Sequence, residues 1–88
     1  MSEKNLIGPK VRELRMGRGW SREQLAAKVG ERGWHCSGED ISNIEQGVEP
    51  VSDVQFLVLA IVLEVNPVEL FPPDLAREIR RDKEPGLE

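Results

Sequence analysis

Few residues in this chain could do covalent chemistry. His35 and Cys36 are its single histidine and single cysteine, adjacent in sequence, and two such side chains do not make a structural zinc site. Cys36 has no second cysteine for an internal disulfide and reads as a small buried apolar residue. No glycine-rich phosphate cradle, metal set or recognisable catalytic carboxylate pair is present. The expectation is therefore a protein that is not an enzyme and needs no metal or cofactor. What remains is charge and hydrogen bonding. The 88 residues carry a net charge of −4, which on its face argues against a nucleic-acid partner. The charge is unevenly spread, however. Residues 1–22 hold six basic side chains, Lys4, Lys10, Arg12, Arg15, Arg18 and Arg22, against Glu3 and Glu13. Residues 23–53 hold seven acidic ones against Lys28 and Arg32. The sign of a local face then matters more than the total. The N-terminal basic residues are either an ordinary solvated face or anion contacts, with Arg22 the first candidate and Arg18 and Lys10 next.

Such side chains need rigid elements to position them. Apolar periodicity without any alternating strand predicts an all-α chain. The six prolines all fall at predicted edges or in loops. A first helix runs from about Pro9 to Gly17 and turns Ile7, Val11, Leu14 and the stem of Arg15 inward. A second opens with the capping box Ser21-Arg22-Glu23-Gln24, and a third follows Ser37 as N-cap and stops at Gly47. A fourth opens with the box Ser52-Asp53-Val54-Gln55 and runs through Leu63. A fifth is short, capped by Asn66 and opened by Pro67. Residues 1–6 read as a flexible N-terminus, 7–73 as the folded domain and 74–88 as a tail, partly helical or disordered. Phe56 to Leu63 is the longest apolar run, eight residues, well short of a bilayer span. Met1 to Lys10 contains no secretory h-region, so the expected location is cytoplasmic.

These segments, taken in order, carry a resemblance. Ile7-Gly8-Pro9-Lys10-Val11-Arg12-Glu13-Leu14-Arg15, Trp20-Ser21-Arg22-Glu23-Gln24-Leu25-Ala26, Ile41-Ser42-Asn43-Ile44-Glu45-Gln46-Gly47 and Val65-Asn66-Pro67-Val68-Glu69-Leu70-Phe71 resemble the lambda-repressor/Cro-like (Xre-type) helix-turn-helix family. The likeness is close to a long-turn variant, with Gly33-Trp34 before the third helix. It implies a compact five-helix bundle and a sequence-specific DNA-binding transcriptional regulator, prokaryotic or phage. In such a domain the second helix crosses the backbone and the third enters the major groove. Carried over, Ser21 and Arg22 meet phosphates, Gly38, Glu39, Ser42 and Asn43 face base edges, and Gln46 lies near the backbone. Ser37 caps that helix, and His35 points outward near the phosphates.

Two features of this chain pull elsewhere. Glu39-Asp40 opens the third helix where the family usually offers polar or basic side chains. The pair complements the helix dipole, or Glu39 reads a cytosine amino group, or DNA binding has been lost. In the last case the fold would serve as a protein–protein interaction module with weak or no DNA binding. In the fourth helix, Phe56, Leu59, Ala60 and Leu63 make one inward stripe, and Val54, Val58, Ile61 and Val65 make a second that one small core cannot also cover. Such a stripe predicts a homodimer through helix four, helix five and the tail, unless the segment after Pro73 folds back over it. The expected partners are double-stranded DNA, a second copy of the chain and a protein partner such as a toxin.

Overall fold

The computed structural model describes residues 3–82, the side chains of residues 80–82 excepted. Within that range the chain forms α1 (Gly8–Gly17), α2 (Arg22–Gly30), α3 (Gly38–Glu45), α4 (Asp53–Leu63), a 3-10 turn (Pro67–Leu70) and α5 (Pro73–Asp82), with no strand among the described residues. None of these helices is long and apolar enough to cross a membrane.

Three helices begin with the same local code. Ser21 Oγ accepts from Gln24 N and Gln24 Oε1 accepts from Ser21 N. Ser52 and Gln55 repeat the exchange at α4. At α3, Ser37 Oγ accepts from Asp40 N at 3.1 Å and Asp40 Oδ2 accepts from Ser37 N at 2.9 Å. Each box satisfies N–H groups that a helix start leaves without partners, about 1 kcal/mol apiece. Gly47 ends α3 with φ of 81°, a left-handed turn that glycine adopts without a Cβ penalty.

The buried face of each helix meets in one core. Val11, Leu25, Val29, Ile41, Ile44, Leu59, Leu63 and Leu70 are fully buried, and each such burial is worth about 1.5–3 kcal/mol. Trp20, Trp34 and Cys36 pack partly buried against this core from the turns around α2, as the long turn before α3 requires. The rings of Phe56 and Phe71 lie 5.3 Å apart and join α4 to the chain after the 3-10 turn.

One expectation is corrected. Residues 4 and 5, expected to belong to a flexible N-terminus, are tied to the domain. Lys4 N donates to Gly47 O, and Asn5 Nδ2 donates to Ile44 O and Glu49 O. Asn5 Oδ1 meanwhile accepts from Ile7 N and Gly8 N. One side chain therefore caps the start of α1 and the end of α3 together. Gly8 makes this approach possible, because a Cβ there would overlap Ile44 O and lie 2.7 Å from Glu45 O. The C-terminal segment, expected to be partly helical or disordered, forms a ten-residue helix through Asp82. Residues 83–88, the rest of the expected tail, lie outside the described residues. Helix α5 packs against the 3-10 turn and leaves Val54, Leu57 and Ile61 of α4 exposed at 66%, 50% and 50%. The alternative in which this segment covers the second stripe is thus not what the described residues adopt.

Candidate nucleic-acid interface

Helix α3 has two faces of opposite character. Ile41, Ile44 and Glu45 are buried. Glu39, Ser42, Asn43 and Gln46, at i, i+3, i+4 and i+7, share the other face. Glu39 and Gln46 are exposed and Ser42 and Asn43 half-exposed. Gln46 Nε2 donates to Ser42 Oγ at 2.9 Å, which orders half of this row. Gly38 faces the Glu23 carboxylate of α2, whose Oε2 would lie 2.6 Å from a Cβ at that position. Ser21 and Ser37 are occupied as caps through their oxygens, and each keeps one hydroxyl proton to donate. His35 is exposed and lines the groove between α2 and the turn into α3, with Glu23, Ala26, Gly30, Cys36 and Gly38.

Beneath α3, three side chains form a charged cluster. Arg15 Nε donates to Glu45 Oε2 at 2.6 Å and Arg15 Nη2 to Glu45 Oε1 at 3.2 Å. Arg22 Nε reaches Glu45 Oε1 at 3.3 Å. Arg15 Nη1 donates to Trp20 O, so each nitrogen of this buried arginine has a partner. The sequence marks Arg15 only as an inward stem and leaves Glu45 without a named partner. Their pairing spans 30 positions, and no local pattern announces it.

The same contacts redistribute the acidity that the sequence places here. Glu45 is sequestered between two guanidinium groups, and Asp40 turns back to its own cap. Glu39 is the acidic side chain left in the outward row of α3. Asp40 also acts on Cys36: burial, and then the nearby carboxylate, push the thiol above its ordinary range.

Two of the candidate anion contacts are engaged elsewhere. Arg18 donates to Leu63 O and approaches Glu64 Oε1 at 4.0 Å, holding the end of α4. Its guanidinium lies 5.6 Å from the Trp20 ring, and Lys28 Nζ lies 4.6 Å from it. Lys10 pairs with Glu13 along α1. Among the described residues no group of three or more His, Cys, Asp or Glu side chains could hold a metal ion.

Residues 6–71 match the family model of a helix-turn-helix domain. The chain belongs to the helix-turn-helix domain family. Among solved structures, a crystal structure of the restriction-modification controller protein C.AhdI from Aeromonas hydrophila is similar, with 37% sequence identity and a TM-score of 0.64. The match covers 74% of this chain and 87% of that one. No curated protein sequence matches. The expected all-α, lambda-repressor-like helix-turn-helix fold is borne out, from the first turn of α1 to the end of the 3-10 turn.

Of the stripe predicted on α4, Val54 and Ile61 are exposed, while Val58 and Val65 are half-buried against the core. Leu57, outside the predicted stripe, is exposed beside them. Its position three residues after Val54 and four before Ile61 was the available signal.

Proposed function

We propose that this helix-turn-helix chain is a sequence-specific DNA-binding transcriptional regulator, with α3 as its major-groove recognition helix. The observation that carries the reading is the two-sided character of α3. Its inner face is fixed by core packing and by Glu45, and its outer face is a row of side chains suited to base edges. The major groove, about 12 Å wide, admits such a helix. Asn43 and Gln46 have the paired donor and acceptor that adenine requires, Ser42 can serve either base type, and Glu39 can accept from cytosine. Ser21 and Arg22, at the start of α2, meet the phosphate backbone, and His35 lies beside it.

The regulator works as a homodimer through the outer face of α4, where Val54, Leu57 and Ile61 leave apolar surface in water. Two copies then present their α3 helices about 34 Å apart, one turn of DNA, to an inverted repeat. The similarity to a restriction-modification controller supports a corresponding role here, control of the genes of a restriction–modification system. Exposed Glu39 favours a second reading, a protein-interaction module on the same fold.

Titration of a labelled generic duplex at low and moderate salt separates the two. A regulator binds, and its affinity falls steeply between about 50 and 200 mM salt as phosphate contacts are screened. Arg22→Glu abolishes that binding, whereas Glu39→Gln leaves it intact or tighter. Absence of binding near 20 mM salt, where a DNA-binding domain shows roughly micromolar non-specific affinity, favours the interaction module.

A further inference from the structure

The Arg15–Glu45–Arg22 cluster is more than a core ion pair. Glu45 presents a buried side chain, 1% exposed, to two cations that are used very differently. Arg15 is 8% exposed and all three of its nitrogens have partners. It balances the buried carboxylate fully. Arg22 is therefore not needed to neutralise Glu45, and it carries the cluster's surplus positive charge. Its side chain is 40% exposed, it touches Glu45 through Nε alone, and among the described residues its two Nη nitrogens have no partner. Its backbone occupies the first position of α2.

We infer that Glu45 is a positioning residue for DNA: it holds Arg22 by Nε so that both Nη nitrogens are presented to a backbone phosphate. This rests on the DNA-binding reading above and adds to it the reason why arginine occupies position 22. A guanidinium has five N–H donors in a rigid fork and can bridge two anions at once. A lysine ammonium is a point charge on a flexible stem, and it cannot hold Glu45 and a phosphate together in that geometry. The buried ion pair thereby joins the fold of α3 to the backbone contact of α2, fixing the register in which α3 meets the groove.

The test compares wild type, Arg22→Lys and Arg22→Gln by titration of a generic duplex across a salt series, with thermal melting of each protein as a check on folding. Arg15 still pairs with Glu45 in both variants, so both are expected to fold. The expected result is that Arg22→Gln weakens binding about tenfold, the size of one charge-assisted contact. It also lowers the slope of log affinity against log salt by about 0.9, the share of one phosphate. Arg22→Lys, although its charge is conserved, falls closer to Arg22→Gln than to wild type. In the free protein, the Arg22 Nε–H resonance is protected from exchange. If Arg22→Lys binds as wild type does, a point charge suffices and the positioning role is overturned. If neither variant changes affinity or slope, Arg22 meets no phosphate and the inference is equally overturned, with the DNA-binding reading left standing. If wild type itself does not bind, it is the DNA-binding reading that fails.

Discussion

Helices α3 and α4 start alike and present opposite surfaces. Each opens with a serine capping box and each buries one stripe in the common core. The outer face of α3 then reads Glu39, Ser42, Asn43 and Gln46, whereas that of α4 reads Val54, Leu57 and Ile61. Local start signals therefore specify that a helix forms and say nothing of what it is for. That information lies in the face the core does not use. A polar row on a firmly held helix suits a hydrogen-bonding partner such as base edges. An apolar row in water suits a second apolar surface. The two helices also differ in how they are held. Glu45 and Asn5 tie α3 to α1 through buried and half-buried polar contacts, whereas α4 is held mainly by packing and by Arg18 at its end.

That contrast can be broken most severely at Glu45. Glu45→Ala leaves Arg15 buried without its carboxylate and should cost about 3–5 kcal/mol in urea unfolding, a large share of the stability of a domain this small. A cost below 1 kcal/mol would show that α3, like α4, is held mainly by packing. Next in size is Gly8→Ala. The added methyl meets the last carbonyls of α3, and the expected loss is about 1–3 kcal/mol by the same measurement. Ile61→Lys probes the other helix. It should leave the monomer folded and raise the dimer dissociation constant more than tenfold, over about 1.4 kcal/mol, in sedimentation equilibrium. A wild-type protein that stays monomeric at high micromolar concentration would remove the dimer from the account.

Ser37→Ala and Ser52→Ala form a matched pair that sharpens the likeness of the two starts. Each should lose about 1 kcal/mol, and similar losses would confirm that the caps are interchangeable. The smallest effect concerns Cys36. Its thiol is held above the usual range by burial and by Asp40, so the folded state favours the neutral form. The stability this contributes is present below the ordinary thiol range and is lost as pH rises from that range through the raised folded value. Alkylation at mildly alkaline pH should be slower than for a free thiol, and it should quicken on unfolding.

Much of the fold was legible in the sequence because it depends on neighbours. The boxes at Ser21 and Ser52, the cap at Ser37, the stop at Gly47 and the turn after Asn66 are all set within three or four residues. What escaped depends on distant partners. Asp40 is legible as an acid suited to a helix N-terminus, but its exchange with Ser37 comes only with the structure. Arg15 with Glu45, Asn5 with Ile44 and Arg18 with Leu63 lie 30, 39 and 45 positions apart. Each decides what a charged or polar side chain is for. Arg18 is the clearest case: a basic residue in a basic segment reads as an anion contact until the end of α4 takes it. On the candidate interface, the outward row of α3 followed from helical period and family resemblance, and the support beneath Arg22 did not.

The central claim, that α3 and not α4 faces DNA, is tested most directly by mapping backbone amide shifts as a generic duplex is added at low salt. The account predicts perturbations at Ser21–Glu23 and along His35–Gln46, fading as salt is raised, with the amides of Val54–Ile61 unmoved. Shifts concentrated on α4 instead, or none anywhere, would contradict it.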